Sequence, residues 1–155
     1  MQGTLAGPYR LDAQIGAGGM GTVWLATVEG AVPGLPVGER VALKIVHPHL
    51  VVESDVFERF VREAELGRSI RHQNVVRTLD AGMDVRDDGL IVYLAMEHVV
   101  GRTLCALRSE EGVVTEGFVR RIAREVARGL AAILERGVVH GDVKPENVLL
   151  TRERS

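Results

Sequence analysis

The feature that most constrains the fold is a glycine-rich run between two strand-like segments. Residues 16–21 read Gly-Ala-Gly-Gly-Met-Gly and fit the pattern G-x-G-x-x-G. Apolar and polar residues alternate over 9–15, and residues 22–28 are rich in β-branched side chains, so both segments predict strands. A dinucleotide-binding fingerprint needs a helix directly after its glycines. The run therefore predicts a β-hairpin whose backbone N–H groups approach phosphates; a flexible turn without a ligand is the alternative.

Composition excludes several classes of protein. The chain has 155 residues, 19 Lys plus Arg against 21 Asp plus Glu, and a formal net charge of −2. This balance suits a soluble globular protein and excludes nucleic-acid binding driven by bulk charge. The single cysteine, Cys105, excludes an internal disulfide framework and suits a reducing compartment. Leu90 to Met96 is too short to span a bilayer and residues 1–9 carry no secretory signal, so we expect a cytoplasmic location, with any membrane tether on segments outside this sequence.

Lys44 interrupts an otherwise apolar strand over residues 41–46. A buried ammonium needs a counter-charge or an anionic ligand. Ser54 is the predicted N-cap of a helix to about Ser69, and one face of that helix carries Val56, Phe60, Glu63, Gly67 and Ile70. We therefore predict an ion pair between Glu63 and Lys44, with Lys44 also reaching a nucleotide's phosphates. The alternatives are a snorkelling lysine on an edge strand and a solvated glutamate.

A second cluster of chemistry follows a long predicted helix. Thr115 is its expected N-cap, Gly137 suits its C-terminal end, and its inner face carries Phe118, Ile122, Val126, Leu130 and Ile133. In the loop beyond it, Asp142 can accept a hydroxyl proton and the amide oxygen of Asn147 can ligate Mg²⁺. A polar turn around Pro145 is the alternative interpretation.

With these residues in order, the sequence resembles a protein kinase. The matching segments are the glycine-rich loop Gly16 to Val23, the V-A-I-K motif at Val41 to Lys44, the αC glutamate Glu63, the H-x-N motif at His72 to Asn74, the gatekeeper and hinge at Met96 to Val99, and the catalytic loop His140 to Asn147. The sequence Lys144-Pro145-Glu146-Asn147 resembles serine/threonine kinases, and the glycine loop followed by Trp24 resembles bacterial kinases of eukaryotic-like type.

The resemblance implies a role for each matched residue, with ATP and Mg²⁺ as cofactors. Lys44 would contact the phosphates and pair with Glu63, Asp142 would position and deprotonate the substrate hydroxyl, and Lys144 would neutralise charge on the transferring phosphoryl group. Asn147 would bind the metal. The other expected nucleotide contacts are Ile15, Gly16, Ala17, Gly18, Gly19, Met20, Gly21, Val23, Ala42, Met96, Glu97, Val99 and Leu149.

The implied fold is α+β, with an N-terminal lobe built from an antiparallel sheet and one αC helix, followed by the beginning of a helical C-terminal lobe. We expect a tail over residues 1–8, the N-terminal lobe and hinge over 9–100, and a partial C-terminal lobe with helices αD and αE and the catalytic loop over 101–155. Gly141 replaces the usual arginine, and Gly67 replaces a bulky residue one turn after Glu63, which predicts a looser helix. No D-F-G or A-P-E motif precedes Ser155.

These features predict a serine/threonine protein kinase, truncated after its catalytic loop and inactive as an isolated chain. A nucleotide- or protein-binding module of pseudokinase type is the first alternative. A small-molecule phosphotransferase, such as an aminoglycoside or choline kinase, is the second. The expected partners are ATP and a protein with Ser or Thr acceptors, without nucleic acid; the oligomeric state is open. The unpaired apolar face of the long helix also predicts marginal stability or insolubility.

Overall fold

The computed structural model describes residues 1–52, 54–112 and 114–151. Eight strands are present: β1 Leu5–Ala6, β2 Tyr9–Gly18, β3 Gly21–Val28, β4 Arg40–Val46, β5 Thr78–Arg86, β6 Gly89–Glu97, β7 Gly101–Thr103 and β8 Leu149–Thr151. The helices are α1 Pro48–Val51, α2 Ser54–Ser69, α3 Leu104–Glu111 and α4 Glu116–Leu134, with a 3₁₀ turn at Pro145–Asn147. The predicted roles of the Ser54 and Val56 side chains lie outside the described residues.

The chain forms two compact units. The sheet unit comprises residues 1–69 and 77–98, and the helical unit comprises residues 70–76 and those from 99 onward. The expected boundary near residue 100 therefore misses one feature, because the segment 70–76 belongs with the second unit although it precedes β5. In the described part of the chain, no helix is both long and apolar enough to cross a membrane.

An antiparallel sheet of six strands forms the sheet unit, in the order β1-β2-β3-β4-β6-β5. Alternating side chains give it one buried face, because residues directly opposite each other in an antiparallel pair lie on the same face. That face supplies the core, which includes Leu11, Trp24, Ala26, Val41, Leu43, Ile45, Tyr93 and Ala95. The strand β4 is central, so Lys44 does not lie on an edge strand.

Side-chain hydrogen bonds connect the first two strands to β5 at the far edge of the sheet. The Tyr9 hydroxyl donates to Asp80 Oδ2 at 2.9 Å, and the Gly7 N–H donates to Asp84 Oδ2 at 3.1 Å. Burial, reinforced by Asp80, raises the pKa of the Tyr9 phenol, so this hydroxyl remains a donor. The segment expected to be a tail differs accordingly: Leu5–Ala6 pairs with β2, and Ala6 is fully buried.

Helix α2 packs against β5, with Gly67 next to Thr78. Ala64 is buried, and a Cβ added at Gly67 would lie 2.6 Å from Thr78 Oγ1. A bulky residue at 67 would therefore push α2 away from the sheet. The missing side chain at Gly67 permits this close approach, and its effect on how firmly α2 is held stays a prediction.

The helical unit contains α3, α4 and the small sheet β7-β8. The Thr115 cap is confirmed, since its side chain accepts from the Phe118 N–H at 3.3 Å. Helix α4 ends at Leu134, and Gly137 follows as a turn residue with φ of 73°, its N–H donating to Leu134 O. On α4, only Gly129 and Ile133 are buried among the described residues.

The segment 70–76 is fastened to α4 by one residue. Asn74 Nδ2 donates to Glu125 Oε2 at 2.9 Å, and a Cβ added at Gly129 would lie 2.7 Å from Asn74 O. Gly129 therefore lets the backbone of Asn74 reach the helix. This contact explains why the segment packs with the helical unit and gives Asn74 a structural role.

Candidate active site

The hairpin between β2 and β3 contains glycines that the fold requires and glycines that it does not. A Cβ at Gly21 would lie 2.0 Å from the backbone carbonyl of Ile45, so the packing of β3 on β4 requires glycine there. A Cβ at Gly18 or Gly19 would meet no atom within 4 Å, and one at Gly16 would make ordinary contact with Val23. None of these three has a positive φ. Their small size leaves open space over the hairpin, which a phosphate could occupy.

Four predicted nucleotide contacts lie together on the half-buried face of the sheet. The register pairs Val23 on β3 with Lys44 on β4, and pairs Ala42 with Met96 on β6. Because the pleat alternates, these side chains lie opposite to the core residues Leu43 and Ala95. The sheet thus combines an ammonium, small apolar side chains and the glycine hairpin on one surface.

The predicted ion pair between Lys44 and Glu63 is absent from the structure. Glu63 is exposed, and neither residue has an ion-pair partner among the described residues. Ala64 is buried and Gly67 lies against Thr78, whereas the Glu63 side chain, about 40° around the helix from Gly67, is exposed to solvent. Lys44 instead has the apolar cross-strand neighbours Val23 and Leu94.

The remaining predicted contacts around the hairpin are exposed or sit at irregular positions. Ile15 is about half exposed, at 51%, and falls at a register shift between Gln14 and Gly16. Ala17 pairs with Thr22 near the end of the hairpin, and Met20 at its tip is 54% exposed. The exposure of these side chains leaves them available to a ligand.

The hinge residues are divided between the two units. Met96 and Glu97 end β6 in the sheet unit, whereas Val99 begins the second part of the helical unit. Glu97 binds Arg77 twice: its carboxylate accepts from the Arg77 N–H at 2.8 Å, and its own N–H donates to Arg77 O at 3.0 Å. Leu149 lies on β8 opposite Thr103 and is 40% exposed.

In the helical unit, the structure brings together two predicted catalytic residues, Asp142 and Lys144, and the predicted metal ligand Asn147. Lys144 Nζ lies 3.1 Å from Asp142 Oδ1. Asn147 Nδ2 donates to Asp142 Oδ2 at 2.9 Å and to the Asp142 backbone carbonyl at 2.8 Å. The hydrogen bonds from Lys144 and then Asn147 hold the pKa of the Asp142 carboxyl below its usual range. Asp142 is therefore ionised at neutral pH and acts as an acceptor.

Backbone geometry around Gly141 sets the position of this carboxylate. Gly141 has φ of 74°, in the left-handed region that favours glycine. The Asp142 N–H donates back to His140 Nδ1 at 3.3 Å across this turn. The expected departure from the arginine-containing motif thus has a local explanation in the conformation of the loop.

Sequence reasoning missed the hydrogen bonds between Glu97 and Arg77 and the conformation of Gly141. Nothing in the spacing of residues 77 and 97 indicates that they meet, because β5 and β6 are brought into register only by their hairpin. The glycine between His140 and Asp142 was a usable signal, since glycine is the default residue at positive φ.

Comparison with known proteins agrees with this arrangement. The protein kinase domain family matches residues 9–155. A probable serine/threonine-protein kinase PknB of Corynebacterium glutamicum is 35% identical over 147 residues, covering 95% of this chain and 22% of that protein. The serine/threonine-protein kinase pkn3 of Myxococcus xanthus is 36% identical over 152 residues, covering 98% of this chain and 26% of that protein.

Solved structures show the same fold. The PknI kinase domain of Mycobacterium tuberculosis superposes with a TM-score of 0.79 at 29% identity, over 97% of this chain and 58% of that chain. A double mutant of the same domain, C20A_R136A, gives a TM-score of 0.82.

The chain therefore belongs to the protein kinase family, and its relatives include bacterial serine/threonine kinases. Its fold is the antiparallel sheet lobe of a kinase domain with the first helices of the second lobe, as the resemblance implied. The chain spans about a quarter of the length of these curated relatives, at 22% and 26%.

Proposed function

We propose that the protein to which this chain belongs transfers the γ-phosphoryl group of ATP to Ser or Thr hydroxyls of a protein substrate. The observation that carries this proposal is the Asp142 carboxylate, with one oxygen beside Lys144 and the other bonded to Asn147. A carboxylate fixed in this way can orient a hydroxyl and accept its proton as the oxygen attacks phosphorus. Lys144 is suited to stabilising charge on the phosphoryl group during transfer.

The sheet unit supports the nucleotide half of this proposal. Lys44 presents an ammonium on the open face with no carboxylate partner among the described residues, so it is available to phosphate oxygens. The open space above Gly18 and Gly19 admits phosphates near the backbone. Val23, Ala42 and Met96 offer an apolar surface to the adenine ring.

Asn147 fits a role in metal binding. Its Nδ2 is committed to Asp142, and its Oδ1 accepts no hydrogen bond from the described residues. Amide oxygen is a ligand that Mg²⁺ accepts. Mg²⁺ bound there would neutralise charge on the ATP phosphates. The hydrogen bonds from Asn147 to Asp142 would keep the Asn147 side chain in place.

We further propose that the 155-residue chain alone does not transfer phosphate, because metal binding in kinases also uses a D-F-G aspartate that this sequence lacks. The protein kinase structures it resembles are longer, and it covers 58% of one of them. We expect activity from the product of the whole reading frame. The single cysteine of this chain favours a reducing, cytoplasmic location for the part of the protein that it spans.

A nucleotide- or protein-binding module is the second candidate. The observation that favours it is the exposure of Glu63 and the missing ion pair with Lys44, since an active kinase needs that pair in place. The two candidates differ in one respect: a kinase forms the pair when nucleotide binds, whereas a binding module functions without it.

A paired experiment tests the proposal. The chain is titrated with ATP and Mg²⁺, and the product of the whole reading frame is assayed for phosphate transfer to protein, with Asp142→Asn as the inactive variant. We expect ATP binding by both forms, and activity in the longer protein that Asp142→Asn removes. Activity in the 155-residue chain would overturn the claim of inactivity. Turnover of an aminoglycoside without any protein substrate would favour a small-molecule phosphotransferase.

A further inference from the structure

The structure assigns a positioning role to His47, which fastens the tip of the glycine hairpin to the end of β4. This inference rests on the proposed function, because it concerns the loop expected to bind phosphates. His47 was not among the residues that the kinase resemblance singled out. It directly follows β4, at the point where the chain turns into the short helix α1.

His47 makes two hydrogen bonds to the hairpin turn. Its Nε2 lies 3.0 Å from Gly18 O, and its backbone N–H donates to Met20 O at 3.0 Å. A carbonyl oxygen can only accept, so Nε2 must carry a proton and act as the donor. The imidazole is therefore committed to the hairpin, which agrees with the absence of a capping bond from His47 to α1.

These bonds engage carbonyl groups of the hairpin turn but not its N–H groups. The carbonyl groups of Gly18 and Met20 are both taken by His47. The N–H groups of Gly19 and Met20 donate to no acceptor within the described residues. Successive free N–H groups in a turn form an anion-binding concavity, and drawing the carbonyls away removes the negative dipoles that would repel a phosphate.

The pairing of β3 with β4 fixes Gly21 but does not extend to the tip of the hairpin, residues 19–20. Gly21 is fixed by its close packing on Ile45, and it pairs with Val46. Gly19 and Met20, which precede Gly21 at the tip, belong to no strand. His47 therefore supplies the bonds that extend the order of β4 to the turn itself. We propose that these bonds position the turn for a polyphosphate and contribute to its affinity.

The variants follow from the chemistry of the donor. His47→Phe keeps a planar ring and removes the donor, whereas His47→Gln supplies an Nε2 donor at a similar distance from the backbone. His49 provides the matched control, because its ring stacks on His47 with centroids 5.6 Å apart and no hydrogen bond joins it to the hairpin among the described residues. His49→Phe makes the same change in the neighbouring ring and removes no hydrogen bond to the hairpin among the described residues.

The first measurement needs no nucleotide. Hydrogen exchange at the amides of Gly21 and His47, followed by NMR in the 155-residue chain, reports whether the turn is held. We expect exchange about threefold to tenfold faster in His47→Phe, the range for losing one net hydrogen bond. Exchange should return toward the original rate in His47→Gln and stay unchanged in His49→Phe. Unchanged exchange in His47→Phe would overturn the proposal that His47 holds the hairpin turn, whether or not ATP binds.

The second measurement compares ATP with adenosine. A positioned phosphate turn predicts that His47→Phe weakens ATP by about threefold to tenfold and leaves adenosine binding unchanged. General damage to the sheet would weaken both ligands, and this result would overturn the positioning role. Equal loss in His47→Phe and His47→Gln would show that the donor is not the acting group. Failure of the unaltered chain to bind ATP would count against the proposed function, while the exchange measurement would still decide whether His47 holds the hairpin turn.

Discussion

The sheet unit and the helical unit differ in how much apolar surface each buries. The sheet unit has one core cluster with five large side chains that are essentially inaccessible: Tyr9, Leu11, Val28, Val41 and Leu43. Val92, outside that cluster, is also almost fully buried. In the described part of the helical unit, the buried apolar residues are Ile70, Leu107 and Ile133. Leu134 at the end of α4 is 63% exposed, and Val139 after it is 80% exposed.

This difference arises because a sheet and an amphipathic helix cover their apolar faces in different ways. Hydrogen bonds from Tyr9 to Asp80 and from Gly7 to Asp84 join the beginning of the sheet to β5 at its far edge, so the sheet unit covers much of its own buried face. An apolar helix face can be covered only by other elements, and the described residues of the helical unit provide few. We therefore expect the sheet unit to carry most of the stability of this chain.

The largest effect should come from emptying the core of the sheet. Leu43→Ala removes a fully buried side chain and should lower the free energy of unfolding by about 2–5 kcal/mol, whereas Leu130→Ala on half-buried α4 should cost about 1 kcal/mol. Urea denaturation read by the single tryptophan, Trp24, which is 8% exposed, measures the sheet unit. Far-UV circular dichroism follows the helices. Equal losses of unfolding free energy in the two variants would contradict the proposed difference in stability between the sheet unit and the helical unit.

Alanine substitutions at glycines within helices test which helix contacts are tightly packed. Gly129→Ala places a methyl group against the Asn74 carbonyl and should destabilise by about 1–3 kcal/mol. Gly67→Ala on α2 should cost less, because the Thr78 side chain it meets can rotate. Gly117→Ala meets nothing within 4 Å and should gain about 0.5 kcal/mol from helix propensity. Thermal unfolding of the three variants gives the comparison, and a stabilised Gly129→Ala would contradict the packing of Asn74 on α4.

A smaller effect is expected at Gly141. Gly141→Ala forces a side chain into a backbone with φ of 74° and should cost about 1 kcal/mol, confined to the loop around Asp142. The control is Gly112→Ala, at φ of 68° beyond the end of α3 and away from that loop. Comparable losses of stability are expected, with reduced kinase activity only for Gly141→Ala in the product of the whole reading frame. Full activity in that variant would exclude a role for this turn in positioning Asp142.

The smallest effect concerns the closure of the sheet at acidic pH. The Gly7 N–H, and then Arg86, hold the pKa of the Asp84 carboxyl below its usual range. A lowered folded-state pKa contributes stability above the unfolded value of about 3.9 and loses it as pH falls through the folded value. Stability should therefore decline between about pH 5 and pH 3, and the decline should be shallower in Asp84→Asn. An identical pH profile in that variant would mean that Asp84 does not help to close the sheet; Asp87→Asn on the adjoining turn is the control.

Much of the fold and of the candidate site was predictable because it depends on local patterns. Alternating apolar residues and the glycine run predicted β2 and β3, and Thr115 predicted the start of α4 because capping is decided within one turn. The cluster of Asp142, Lys144 and Asn147 was predictable for the same reason, since these residues lie within a few positions of each other. The ion pair of Lys44 with Glu63 was not, because it depends on how far α2 rotates against β5.

The sequence by itself indicated β2 to β4, α2, β6 and α4, the membership of the kinase family and the local grouping of Asp142, Lys144 and Asn147, because propensity, capping and short motifs are written in neighbouring residues. Only the tertiary structure decided that residues 5–6 add an edge strand to the sheet, that Gly67 and Gly129 are contact points, and that His47 binds the glycine hairpin. Each of these depends on atoms from segments far apart in sequence that meet only when the backbones pack, and their positions are set by steric fit rather than by residue pattern.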